Sequence, residues 1–254
     1  MNGDPLPPGC TTQVRTAGSR LKKRQSRPIF GPDWHPLANP APFLYPIGMA
    51  TLSRATVLEE IGQIASLQEG FLSAAQAQQV GVPRKRLARL VASGILERDE
   101  RGIYRFASYP DTERAELWRA VLWPTVERST KMSALGKAVL SHGTALDLWN
   151  VSTINPATID ITLPKSYRLR RTVPSIYRIH RADLADNEIT FIGGLPVTTL
   201  YRTLLDLIID ARDQQFVDEA LNNTAMLSES DRAQLKALRI VEPSRLKAIS
   251  RRIS

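Results

Sequence analysis

The stretch "FLSAAQAQQVGVPRKRLARLVASGILERDERGIYRFA", Phe71 to Ala107, decides the fold. Ser73 is placed to cap a short helix running through Val80, in which Ala74, Ala75 and Ala77 permit close packing. Gly81 breaks the chain. Pro83 stands where a first helical turn tolerates a missing N–H. The pattern predicts a second helix to about Ser93, stopped at Gly94, and then two short strands, Ile95 to Arg98 and Ile103 to Phe106. Asp99-Glu100-Arg101-Gly102 joins those strands. Helix, tight turn, helix and hairpin is the order of a winged helix-turn-helix.

The second helix carries the chemistry. On a wheel of about 100° per residue, Pro83, Leu87, Leu90 and Val91 share the arc expected to face a core. Lys85 and Arg89 lie opposite, flanked by Arg86, Ala92 and Ser93, with Arg84 nearer the core edge. A cationic face without bulky neighbours suits a helix entering the major groove, where arginine reads guanine bidentately and lysine meets phosphate. Arg101 at the hairpin tip and Arg98 beside it are placed for the backbone or the minor groove. Ser73, Arg84, Lys85, Arg86, Arg89, Arg98 and Arg101 are therefore the candidate DNA-binding residues. Tyr104 and Phe106 alternate with Arg105 and read as core.

Upstream, Val57, Ile61, Ile64 and Ala65 recur at helical spacing, with Ser53 or the Thr56-x-x-Glu59 pair as cap and Gly70 as the end. Residues 1–48 are rich in proline, carry the basic run "SRLKKRQSR", and show no apolar period, so they are expected to be disordered. Two readings stay open there: an arm that adds phosphate contacts, or an upstream start codon, since Met49 opens a natural-looking beginning. The expected division is 1–48, 49–110 and 111–254.

Whole-chain totals agree with a polyanionic partner. The 254 residues have a net charge of +9, with an isoelectric point near 10.0. No apolar run approaches the roughly 18 residues of a membrane span, and the N-terminus lacks a signal-peptide core. The single cysteine, Cys10, rules out an internal disulfide framework. Cytoplasmic residence is the expected location.

Beyond Pro110 the sequence predicts a helix over about 112–123, another over 144–149, a strand over 158–163, the basic segment "KSYRLRRTVPSIYRIHR", a strand near 189–192, a strong helix capped at Thr198 or Thr199, and a helical tail ending in "PSRLKAISRRIS". Strands and helices without regular alternation imply an α+β second domain. Within it, "SHGTALDLWNVSTINPATIDITLP", Ser141 to Pro164, has the order of a nucleotidyltransferase site: a small-residue turn, a short helix, and a strand with an acid. Two-metal chemistry needs paired carboxylates. Asp160 supplies one, but Thr162 stands two residues on, and only Gly143 opens the turn. The stretch therefore reads as a degenerate nucleotidyltransferase-like scaffold without catalysis. His35, His142 and His180 have no neighbouring histidine or cysteine in sequence, so no metal or other cofactor is expected.

The ordered set "GFLSAAQAQQVGVPRKRLARLVASGILERDERGIYRF", "AVLSHGTALDLWNV", "IDITLP", "IHRADL" and "GLPVTTLYRTLLDL" resembles the AbiEi family, over about residues 53–225. These are antitoxins of bacterial abortive-infection type IV toxin–antitoxin systems, described as transcriptional regulators. The resemblance implies a winged helix that binds inverted repeats in its own promoter and represses its operon as a dimer or cooperative oligomer. It also implies a C-terminal domain that opposes a nucleotidyltransferase-like toxin without a stable complex. Val82-Pro83 departs from the family's more usual Ser or Thr cap and leaves the start of the recognition helix open. The rival readings are a protein-interaction module and a metal-dependent nucleotidyltransferase or nuclease at Asp160.

Overall fold

The computed structural model describes residues 54–110, 112–126, 138–169 and 172–240. The proline-rich arm, Cys10, His35, Met49, Ser53, residues 170–171 of the basic segment and the terminal "PSRLKAISRRIS" lie outside the described residues.

The chain is α+β. Its first part runs α1 (Arg54–Ser66), β1 (Phe71–Ser73), α2 (Ala74–Gln79), α3 (Arg84–Ala92), β2 (Leu96–Glu100) and β3 (Ile103–Phe106). All three strands pair antiparallel in the order β1-β3-β2. The apolar period of α1 does what its spacing predicts: Val57, Ile61 and Ala65 are fully buried, and Val57 and Ile61 pack with Leu72, Ala77, Val82, Leu87, Leu90 and Leu96 in one core. Val91 borders that core. Pro83, expected on the core arc, is exposed. It is the N-cap of α3, with φ −73° and ψ 156°, so it precedes the first helical turn and the helical wheel does not apply to it.

Glycine is required at position 70. Its φ is +88°, and a Cβ there would lie 2.5 Å from Cγ of Tyr109. This turn sends the chain from α1 directly into β1, a three-residue strand absent from the sequence reading.

The second part runs α4 (Ala115–Leu122), a 3-10 turn (Trp123–Val126), β4 (Val139–Leu140), α5 (His142–Trp149), β5 (Ile159–Leu163) and β6 (Tyr177–Arg181). It continues through a second 3-10 turn (Asp186–Glu188), β7 (Ile189–Ile192), β8 (Leu195–Thr198), α6 (Leu200–Ile209), α7 (Gln214–Asn223) and α8 (Glu229–Ile240). The strands form one mixed sheet, β6-β5-β4-β8-β7. β4/β8 and β5/β6 are parallel, while β4/β5 and β7/β8 are antiparallel. β5 is buried along its whole length, between α4 and α5. Leu146, Leu200, Leu204, Leu207, Val217, Leu221 and Leu235 close a second core among α5, α6, α7 and α8. The cap of α6 is Thr199, whose hydroxyl accepts from the Arg202 N–H at 3.5 Å.

One helix joins the two sheets. α4 packs on β1 of the first and on β4, β5 and β8 of the second. Its Trp118 is fully buried, and the carbonyl of Leu67 and the Trp118 ring both crowd Gly194. Arg119 Nε donates to Asp99 Oδ2 at 2.8 Å, tying α4 to the β2–β3 hairpin. Arg105 and Arg119 both lie over the Phe71 ring, at 5.4 and 5.5 Å. No described helix is long and apolar enough to cross a membrane.

Candidate nucleic-acid interface

The entry into α2 is built from buried hydrogen bonds. Ser73 N–H donates to Gln76 Oε1 at 2.8 Å, and Gln76 N–H donates back to Ser73 Oγ at 3.2 Å, a reciprocal capping box. Gln76 Nε2 donates to Gln68 Oε1 at 2.9 Å, and Gln68 Nε2 donates to the Phe71 carbonyl at 3.2 Å. Buried polar groups are tolerated when they are satisfied in this way. The network locks the end of α1, β1 and the start of α2 together. Ala74 N–H donates to the carbonyl of Gly102 at 2.8 Å, so the hairpin end is held against α2.

These contacts reassign one candidate. Ser73, expected among the DNA-binding residues, is fully buried and its hydroxyl is committed to the capping box. It offers no contact surface and acts by positioning α2. The basic residues fall otherwise. Arg84, Lys85 and Arg89 on α3 are exposed, and none of them has an ion-pair partner among the described residues. Arg86 is half-buried. Ala88 and Ala92 between them are exposed and small, leaving the face unobstructed. Arg98 and Arg101 are exposed on the hairpin, where the register of β2 against β3 shifts between Arg98 and Glu100. Tyr104 is buried and Phe106 borders the core, as their alternation predicts.

The stretch from Ser141 to Pro164 tests the enzymatic reading. Asp160 and Thr162 face α5. The Asp160 N–H donates to Thr144 Oγ1 at 2.8 Å, and the Thr162 hydroxyl donates to Ser141 Oγ at 2.8 Å. The Asp160 carboxylate closes against the start of α5, where a Cβ on Gly143 would lie 3.3 Å from its Oδ2. Asp160 Oδ1 is 2.8 Å from His180 Nε2, 3.6 Å from Arg178 Nη1 and 4.0 Å from Arg212 Nη2.

Two expectations are corrected here. His142 and His180, without histidine neighbours in sequence, stack with ring centroids 3.5 Å apart. Parallel pairing of β5 and β6 sets Thr162 opposite His180 and carries the ring to the start of α5. Asp160, expected to be the sole acid of its neighbourhood, is joined by Asp210 from the end of α6, whose Oδ2 lies 3.6 Å from His142 Nε2 and 3.8 Å from His180 Nδ1. The alternation in "YRIHR" is the signal by which β6 could have been found. The arrival of Asp210 had no local signal.

Electrostatics follow burial. Desolvation, with His180, Arg212, Arg202 and Arg178 nearby, holds the His142 imidazole down to about 2, so its neutral form is fixed. Burial pushes the Asp206 carboxyl up to about 6, against the opposing pull of Arg202.

Residues 59–107 match the family model described as a transcriptional regulator, AbiEi antitoxin. That segment contains α2, α3 and the hairpin. No curated protein matches the sequence. Among solved structures, the crystal structure of RV2827C protein from Mycobacterium tuberculosis is similar at 14% identity. The match covers 76% of this chain and 80% of that chain with a TM-score of 0.44.

Proposed function

We propose that the chain is a DNA-binding transcriptional repressor that serves as the antitoxin of a type IV toxin–antitoxin system. Residues 54–106 act as a winged helix-turn-helix, with α3 in the major groove and the β2–β3 hairpin as wing. The observation that carries this reading is the face of α3. Arg84, Lys85 and Arg89 are exposed and without described ion-pair partners, on a helix whose Leu87 and Leu90 are seated in the first core and which lies inside the matched segment. Charges so placed are free to replace counterions on phosphate or to meet base edges. Arg86 flanks that face, and Arg98 and Arg101 extend it along the hairpin.

The operator in this reading is an inverted repeat in the protein's own promoter, bound by two copies in the bacterial cytoplasm. The α+β part from α4 onward carries the antitoxin role toward a nucleotidyltransferase-like toxin, without a lasting complex and without chemistry of its own.

A gel-shift titration against the chain's own upstream DNA, at two salt concentrations and with unrelated DNA as competitor, tests the proposal. Preferential binding that falls steeply with salt, and that Lys85→Ala/Arg89→Ala abolishes, is the expected result. Loss of a single base-reading arginine should remove about 1–3 kcal/mol of binding free energy and relax specificity at one position. Equal affinity for unrelated DNA, or binding indifferent to the double substitution, would sink it. A protein-docking role for α3 would then be the better account.

A further inference from the structure

The groups around the stacked histidines form a set that the repressor reading leaves unused. His142 Nε2, His180 Nδ1 and an Asp210 carboxylate oxygen all lie within 4.8 Å of one another. Three separate elements deliver them: the start of α5, strand β6 and the end of α6. We propose that these three side chains bind a divalent transition-metal ion of the zinc type, leaving further coordination positions open to water or an exogenous ligand.

Ligand type is the first argument. Two imidazoles and one carboxylate are the donors that zinc and ferrous iron accept, whereas magnesium prefers an all-oxygen shell. The second argument is what holds each donor. A ligating histidine ordinarily has its other ring nitrogen fixed by a hydrogen-bond partner, which sets the tautomer and aims the free lone pair. Both rings meet that requirement. His180 Nε2 lies 2.8 Å from Asp160 Oδ1, leaving Nδ1 toward Asp210. His142 Nδ1 lies 2.9 Å from Ser141 Oγ, which is itself held by the Thr162 hydroxyl, leaving Nε2 toward Asp210. Arg212 Nη2 donates to Asp210 Oδ2 at 3.3 Å and steadies the third donor, whose carboxylate has lone pairs to spare.

His142 also adopts a φ of +49°, a left-handed conformation that a non-glycine residue enters only when its surroundings impose it. The turn places its ring over His180 rather than away from the sheet. The rings are 15° from parallel, so in-plane coordination by both requires one to rotate on binding. His180 stands on the outer strand β6 with its side chain 14% exposed, and a tilt about its Cβ–Cγ bond that keeps Nε2 against Asp160 would turn Nδ1 out of the stack. Arg178 and Arg212 sit close to Asp160. Arg212 bridges the two carboxylates, nearer to Asp210 at 3.3 Å than to Asp160 at 4.0 Å, so a bound metal would share Asp210 with it.

The test uses the full chain without an affinity tag, stripped with chelator, and rests on no part of the DNA-binding reading. Zinc and cobalt(II) are titrated by calorimetry and by visible absorption, with magnesium and inorganic phosphate as separate titrants. One equivalent of zinc or cobalt is expected, with cobalt absorption of low-symmetry character and no comparable magnesium binding. His180→Gln and Asp210→Asn, each checked for folding by circular dichroism, should weaken binding at least tenfold. Asp160→Asn, acting through His180, should weaken it by about 10- to 100-fold. His142→Asn suits the left-handed turn and gives a further donor deletion. Absence of zinc and cobalt binding in the parent chain, or binding that both His180→Gln and Asp210→Asn leave unchanged, would overturn the proposal. So would tight phosphate binding abolished by Arg178→Ala without any metal affinity, since the cluster would then be an anion site.

Discussion

The α3 face and the polar cluster behind β5 are made of the same kinds of side chain used in opposite ways. On α3 the guanidinium and ammonium groups of Arg84, Lys85 and Arg89 stand in water without described ion-pair partners. Behind β5 and along α6 the charges are paired, and the innermost are enclosed. Arg202 Nε lies 2.9 Å from Asp206 Oδ1 and its Nη1 lies 2.9 Å from Glu188 Oε1, with Arg202 and Asp206 nearly buried. A charge in water adds little to folding and stays available to a partner. A charge out of water is costly unless paired, so its partners are fixed parts of the structure. Exposed cations are therefore available to a partner, and buried ones mark what the fold holds in place.

The sharpest way to break that contrast is to remove a buried partner. Arg202→Met should lower unfolding free energy by about 3–5 kcal/mol in a urea titration, because Asp206 and Glu188 would lose the guanidinium between them. Asp206 Oδ2 already has no hydrogen-bond partner among the described residues, so nothing described there takes over. A loss no larger than that of an ordinary surface substitution would show that the pair is not enclosed in solution. A smaller effect is expected from Ser73→Ala, which removes one half of the capping box. About 0.5–2 kcal/mol of stability should go, and DNA affinity should fall only insofar as α2 and α3 loosen. An affinity loss at full stability would instead return Ser73 to the contact surface. The smallest change in folding belongs to Lys85→Ala/Arg89→Ala, whose unfolding midpoint should match the parent even as its DNA binding collapses. A marked drop in that midpoint would mean the two cations have partners in the folded chain.

Legibility in sequence followed the range of the interaction. α1, α3 and the hairpin were readable because their signals are local: apolar residues at helical spacing, Gly70, Gly81, Gly94 and Gly102 as punctuation, and Ser73 before Gln76 as a cap. Leu87 and Leu90 are buried and Lys85 and Arg89 exposed, as the wheel places them. Four strands lack such signals. β1 has three residues and β4 two, too few to show alternation. β8 contains Pro196 and reads as the approach to α6. β6 hides inside a basic run. Because β6 and the end of α6 were not placed beside β5, the meeting of His142, His180 and Asp210 stayed invisible. Parallel strand pairing and helix docking join residues far apart along the chain, and no spacing rule encodes that.

The shared helix α4 has a spectroscopic consequence. Trp118 lies in α4, which touches both sheets, and Trp123 follows directly after it; both are buried. Emission from these two residues, isolated by replacing Trp34 and Trp149 with phenylalanine, therefore follows the packing around α4. The chain carries its own fluorophores at the seam, and a melt followed through them traces the separation of the two halves as well as the loss of each.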